Sequence, residues 1–257
     1  MIVNGYIDDS ADEAVFVLAG YVAPAEEWAK FSDEWAATLK APPSIAYLKT
    51  KEAMGSRGKK PNGEFHRWTE NQRDAKLNAL YRVIDKYVSF EVSAVIHLGP
   101  FRRIFGNGVL PKAAANPYYH AISGLISGVA REQIRQGMPE KIDFVFDEQL
   151  MEQGRFLAIW DDLARTAPPD VKPMIGSTPI FRKDSGEDAV LPLQAADLEA
   201  WWLRQRWREK LTGEPEIPYP WQPAAIPGVS NVFDEAELKI CYEKIFQAHW
   251  DLGWRPG

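Results

Sequence analysis

The sequence predicts an α/β fold, a mixed sheet of about five strands flanked by helices. Apolar segments rich in Val, Ile and aromatics recur at 2–8, 14–22, 90–98, 142–147 and 174–181, the patterns of half-buried or buried strands. Between them lie stripes of apolar residues three and four apart, the mark of helices with one buried face. The first two strands are separated only by Ser10, Ala11, Asp12 and Glu13, so they pair as a hairpin, whereas the later ones are separated by helices, the connection that parallel strands need.

After the hairpin, Pro24 opens a helix whose buried stripe is Trp28, Phe31, Trp35 and Leu39, closed by Pro42 and Pro43. Residues 45–67 show no period and read as an exposed loop, with Gly55, Gly58, Pro61 and Gly63 among basic residues. Thr69 and Gln72 stand at capping-box spacing ahead of a helix marked by Leu77, Leu80, Tyr81 and Ile84 and running to about Tyr87. A Gly-rich link through Gly106 and Gly108 leads to Asn116 and Pro117, a good helix start, and the stripe Tyr118, Ile122, Leu125, Ile126 and Val129 stops near Gly137. Phe156, Ile159 and Trp160 mark a helix after the fourth strand, and a further helix covers 193–211. The five prolines and two glycines of 213–230 argue for a surface connection, and Asp234 with Glu237 caps a last helix over about 234–250. With no linker between two self-sufficient cores, residues 1–257 are expected to form a single domain.

Composition narrows the function classes. Charged residues make up 26% and apolar ones 46%, ordinary for a globule, and no run of 18 apolar residues occurs. Together with a first segment that lacks a cationic and apolar leader, this predicts a cytoplasmic protein with no membrane partner. The single cysteine, Cys241, lies among helical apolar positions and reads as a core thiol. A net charge of −6 argues against coating nucleic acid by bulk attraction, yet it leaves room for a nuclease, because two divalent ions would bring it to −6 + 4 = −2. Local basic clusters at 57–60, Arg102 with Arg103, and 204–210 are either guides for a backbone or solvated surface.

The chemistry is carried by acids. Tyr6-Ile7-Asp8-Asp9 and Phe144-Val145-Phe146-Asp147-Glu148 are two strands finishing in carboxylates, with Asp8 on the face opposite Ile7. Strand ends line the crevice where α/β sheets bind ligands, and hard Mg²⁺ or Mn²⁺ prefers oxygen donors; an Asp there also serves as a turn cap. On the apolar helix, Gln194 and Asp197 stand three apart on one face, costly unless something binds them.

These three ordered segments, with Phe16-Val17-Leu18-Ala19-Gly20 after the first, resemble the bacterial family known as domain of unknown function 3800, from Tyr6 to about Arg206. The resemblance implies a ribonuclease H-like fold and a metal-dependent nuclease with acidic ligands at Asp8, Asp147 and Asp197. It implies a fourth acid between the first two, for which Glu52 is the choice and Glu64 the alternative, and a histidine near position 49, where this chain has Lys49. His66 would be a general acid, a phosphate contact or a plain loop residue, and Lys183 either meets the scissile phosphate or is solvated. If the acids converge, the reaction is phosphodiester hydrolysis with two Mg²⁺ or Mn²⁺ ions about 4 Å apart, Asp9 and Gln194 orienting the ligands. Nucleic acid, DNA or RNA, is then the partner. The rivals are a ribonuclease H-like binding or regulatory protein of a mobile-element or phage-defence system, and a small-molecule phosphohydrolase. Nucleophile-elbow, zinc-protease and phosphate-loop motifs are absent.

Overall fold

The computed structural model describes residues 2–55, 61–110, 112, 114–138, 140–148, 153–166, 169, 171–174 and 176–251. The basic cluster at 57–60 lies outside the described residues. The chain runs β1 (Val3–Ala11), β2 (Val15–Pro24), α1 (Ala25–Lys40), α2 (Thr50–Met54), α3 (Glu70–Tyr87), β3 (Phe90–His97), α4 (Leu98–Phe105), α5 (Pro117–Gln136), β4 (Ile142–Asp147), α6 (Gln153–Thr166), β5 (Ile180–Arg182), α7 (Leu191–Thr212), β6 (Gly228–Phe233) and α8 (Glu235–Asp251).

The six strands form one mixed sheet in the order β5-β4-β1-β2-β3-β6. β2 is antiparallel to both β1 and β3, while β4 is parallel to β1, β5 to β4 and β6 to β3. This is an α/β architecture compatible with the ribonuclease H-like fold. β2 is buried on both faces. Gly20 in β2 is dictated by close approach, since a Cβ there would come within 1.9 Å of the Tyr6 carbonyl oxygen on the paired strand.

Alternation along the strands divides two cores. Val3, Ile7, Phe16, Leu18, Phe144 and Phe146 pack with residues of α4, α5, α6 and α8 on one face. Tyr21 and Ala23 pack on the other with α1, α3 and α7, where Trp28, Phe31, Trp35, Leu77, Leu80 and Trp202 are buried. Asp8 and Asp147 follow Ile7 and Phe146, so the pleat turns both toward the α7 face. The helix starts are as the sequence predicts: the Gln72 amide donates to the Thr69 hydroxyl and the Thr69 amide to the Gln72 side chain, and Asn116 accepts from the Tyr118 amide ahead of Pro117. Gly137 ends α5 in the left-handed conformation at φ 65°.

Four elements differ from expectation. The first is α2, a five-residue helix too short to show a period, in the segment read as an exposed loop, where Ile45, Leu48, Ala53 and Phe65 are buried against α1, α3 and α7. The sixth strand, β6, takes up the end of the segment read as a Pro-rich connection and lies on the sheet edge with half-exposed side chains, a weak pattern. α4 follows β3 directly; Gly99 and Pro100 fall in its first turn, where no intrahelical N–H bond is needed, so they do not break it. β5 is three residues, Ile180–Arg182, in place of 174–181. Among the described residues, no helix is long and apolar enough to cross a membrane.

Candidate metal centre

Register brings the first two acids together. Ile7 of β1 pairs with Phe146 of β4 in parallel, so the next residues, Asp8 and Asp147, are neighbours on one face. β5 pairs with β4 on the far side, ending level with Asp147 at Arg182, and the turn beyond it carries Asp184. Asp8, Asp147 and Asp184 each place a carboxylate oxygen within 4.8 Å of the others, and all three are buried, at 5%, 3% and 1% exposure. Asp184 is not among the acids that the sequence singles out. Like Asp147, the last residue of β4, it is a carboxylate at the finish of a strand, whereas Asp8 departs from the expected strand end because β1 continues past it to Ala11.

Asp197 of α7 stands beside this group, outside the trio. Its Oδ2 accepts the Thr50 amide at 2.7 Å, and its charge acts on Asp8. Burial holds the Asp8 carboxyl well above the usual carboxylate range, reinforced by the charges of Asp197, Asp147 and Asp9; the Asp9 amide, donating to Asp8 Oδ1 at 2.7 Å, opposes the shift. Burial likewise raises Asp197, against the charge of Lys49 and the bonds from Thr50.

The cation among these acids is Lys49. Its ammonium pairs with Asp184 Oδ2 and lies 3.8 Å from Asp147 Oδ2. Burial alone would lower its pKa, but the charges of Asp197, Asp184 and Asp8 outweigh burial and hold it above the ordinary lysine value. Helix α7 sets its position. Gln194, fully buried, accepts the Leu48 amide and the Trp35 indole N–H at 3.0 Å each, and donates to the Asp184 carbonyl at 2.7 Å. One carboxamide thus ties together the loop that carries Lys49 and the turn that carries Asp184, while Asp197 grips the amide of Thr50, the first residue of α2 just past Lys49. This is the support expected of Gln194, and it gives both polar atoms of a buried carboxamide a partner.

Comparison with family models, with curated proteins and with solved structures returns no match. The resemblance to the domain of unknown function 3800 family therefore rests on its three motifs.

The remaining expected residues fall elsewhere. Glu52 is not in the trio: its carboxylate accepts the Glu64 amide at 3.2 Å and the Tyr47 hydroxyl at 3.3 Å, closing the 45–67 loop on itself. Short-range loop bonds claim it, and the further acid comes after β5 instead of between β1 and β4. Glu64 takes the Ala46 amide and His66 is exposed. Asp9 points to the opposite face, where the Tyr118 hydroxyl donates to it at 2.9 Å; burial first, partly offset by that bond, pushes its carboxyl up to about 6. Lys183 is exposed, 4.0 Å from Glu148, an arrangement worth little in water. With Arg182, Phe181, Ile180, Glu148 and Asp188 it lines an open cleft of about 640 Å³, flanking the chain positions of Asp147 and Asp184. The trio suits a hard divalent cation: every donor is oxygen, and among the described residues Asp184 Oδ1 is buried with no hydrogen-bond partner.

Proposed function

We propose that this chain is a divalent-metal-dependent phosphodiester hydrolase acting on nucleic acid in the cytoplasm, with Asp8, Asp147 and Asp184 holding Mg²⁺ or Mn²⁺ and Asp197 completing the negative wall. The observation that carries the reading is the meeting of three buried carboxylates within 4.8 Å, from inside β1, from the last residue of β4 and from the turn after β5, beside the strand-end crevice where α/β sheets build their sites. A bound divalent ion supplies charge neutralisation for the phosphate and a water acidic enough to attack at neutral pH. The chain's own residues do the positioning. Gln194 holds the Leu48 amide and the Asp184 carbonyl, so the loops on either side of the acids cannot drift apart. Arg182 and Lys183 offer the cleft two cations for the flanking phosphates. These are long-range and salt-sensitive contacts suited to a polyanion.

A second reading is favoured by one observation, the ion pair between Lys49 and Asp184: a ribonuclease H-like binding or regulatory protein in which the lysine permanently neutralises the acids. The test is a panel of single- and double-stranded DNA, RNA, an RNA–DNA hybrid and a chromogenic phosphate ester, each with Mn²⁺. Nucleic-acid cleavage is expected, and Asp147→Asn should lower it at least a hundredfold with an unchanged far-UV spectrum. Cleavage of the ester alone would identify a small-molecule phosphohydrolase. Cleavage unaffected by the substitution would remove the acids from the mechanism, and a parent inert in every metal would hand the site to the second reading.

A further inference from the structure

Lys49 is built into the acidic centre. The amides on either side of it are both held by α7, Leu48 N–H by Gln194 at 3.0 Å and Thr50 N–H by Asp197 at 2.7 Å, so the backbone that carries the lysine is fixed over the carboxylates. From there the ammonium reaches Asp184 and stands 3.8 Å from Asp147, with a side chain 21% exposed and so reachable from solvent. Both carboxylate oxygens of Asp184 are buried without a hydrogen bond among the described residues, Oδ2 meeting Lys49 as an ion pair and Oδ1 meeting no cation.

We propose that the centre takes a single divalent ion and that the Lys49 ammonium stands as its second cation, in the place a second ion would fill beside the substrate phosphate. The inference rests on the metal-dependent reading above and deepens it. Two lines of chemistry support it. The first is space. Two-ion sites hold ions about 3.5–4 Å apart with ligands beyond each, but three donors within 4.8 Å of one another surround one cation position, and the approach past Asp184 and Asp147 is occupied by the lysine. The second is charge. Asp8, Asp147, Asp184 and Asp197 carry −4 in their ionised forms and Lys49 brings the sum to −3, so one divalent ion leaves −1 while a second would leave +1 with an ammonium in contact. A lysine suits the task, a compact point charge with three donors on a flexible stem: one donor can keep Asp184 while another faces a phosphate oxygen.

The experiment is Mn²⁺ binding to the full chain by calorimetry and equilibrium dialysis, for the parent, Lys49→Met and Lys49→Gln, with circular dichroism confirming the fold. The Gln variant keeps a hydrogen-bonding side chain should Met fail to fold. One Mn²⁺ per parent chain and two per chain of either variant are expected, the first bound at least tenfold more tightly than by the parent. Two ions in the parent, or one ion of parental affinity in the variants, would overturn the inference and leave the metal-dependent function standing. A parent that binds no Mn²⁺ would overturn both.

Discussion

Two groups of acids share the α7 face of the sheet, one buried and one half-buried, and their charge is settled differently. Where β1, β4 and the turn after β5 meet, Asp8, Asp147 and Asp184 gather, and the Lys49 ammonium pairs with Asp184 and lies 3.8 Å from Asp147. Nearer β3, Glu199 of α7 accepts the Tyr21 hydroxyl at 2.7 Å and faces Glu91, and neither glutamate has an ion-pair partner among the described residues. There burial, with the charge of Glu199 second, pushes the Glu91 carboxyl up to about 7. Burial raises carboxyls in both clusters, but among the described residues only the first has a cation beside it. Asp197 and Glu199 are two residues apart on one helix, so the difference comes from what the rest of the fold brings to each: a clamped lysine loop to the first and only a tyrosine hydroxyl to the second. Burial of acids by itself therefore does not identify a metal centre. The distinguishing features are the lysine, the carboxamide that holds its loop, and the unpaired oxygen of Asp184.

The largest effect separating the two clusters is expected at Gln194. Gln194→Ala leaves the Trp35 indole N–H, the Leu48 amide and the Asp184 carbonyl without their buried partner. At about 1–3 kcal/mol for each buried group left unsatisfied, less some relaxation, the loss should be about 3 kcal/mol. For a domain of this size that is a melting temperature lower by about 6–12 °C. Chemical denaturation checks it, and a loss under about 1 kcal/mol would mean that Gln194 does not clamp the two loops.

A smaller effect, with a pH signature, is expected in the cluster of Glu91 and Glu199. Folded Glu91 titrates at about 7 against an ordinary glutamate value of 4.5, so the folded state binds the proton more tightly. Its contribution is fully present below pH 4.5 and is lost as pH rises through 7, which makes stability fall across that window. Glu91→Gln removes the penalty. Because the side chain is partly exposed, the expected gain is about 2–4 °C at pH 8, with no gain at pH 4.5. Melts at the two pH values decide, and an equal change at both would show that the pair carries no extra proton.

The smallest effect is expected for Tyr21→Phe, which removes the hydroxyl donated to Glu199. It should cost about 0.5 kcal/mol and leave Mn²⁺ binding unchanged. A weakened metal response in that variant would mean that the two clusters are not separate.

Much of this arrangement can be read in the sequence wherever a local signal and the tertiary environment agree. The hairpin, the Thr69 and Asn116 helix starts and the strand ending at Asp147 were all legible, because period and capping are local properties. β6 was hidden because an edge strand with half-buried residues behind a run of prolines lacks a strong alternation. α4 was hidden because it is only eight residues long and follows β3 without a break, with Gly99 and Pro100, poor helix formers, in its first turn. At the site, Asp8 and Asp147 follow from strand patterns, and Gln194 from its place on an apolar helix face. Asp184 was missed because a strand of three residues is too short to announce the carboxylate beyond it. Lys49 appeared only as a departure from a resembling family. Its meaning depends on an aperiodic loop being held by a helix 145 positions later, as the spacing from Lys49 to Gln194 shows, and no local pattern encodes that.

The most direct test compares the acid that the fold brings to the centre with the acid that the sequence pattern suggested. Mn²⁺ affinity is measured by calorimetry for the parent, Asp184→Asn and Glu52→Gln. Asp184 is within 4.8 Å of Asp8 and Asp147, while Glu52 is bonded to the Glu64 amide. The predicted result is at least tenfold weaker binding for Asp184→Asn and parental binding for Glu52→Gln. Parental binding in Asp184→Asn together with loss in Glu52→Gln would contradict the centre described above.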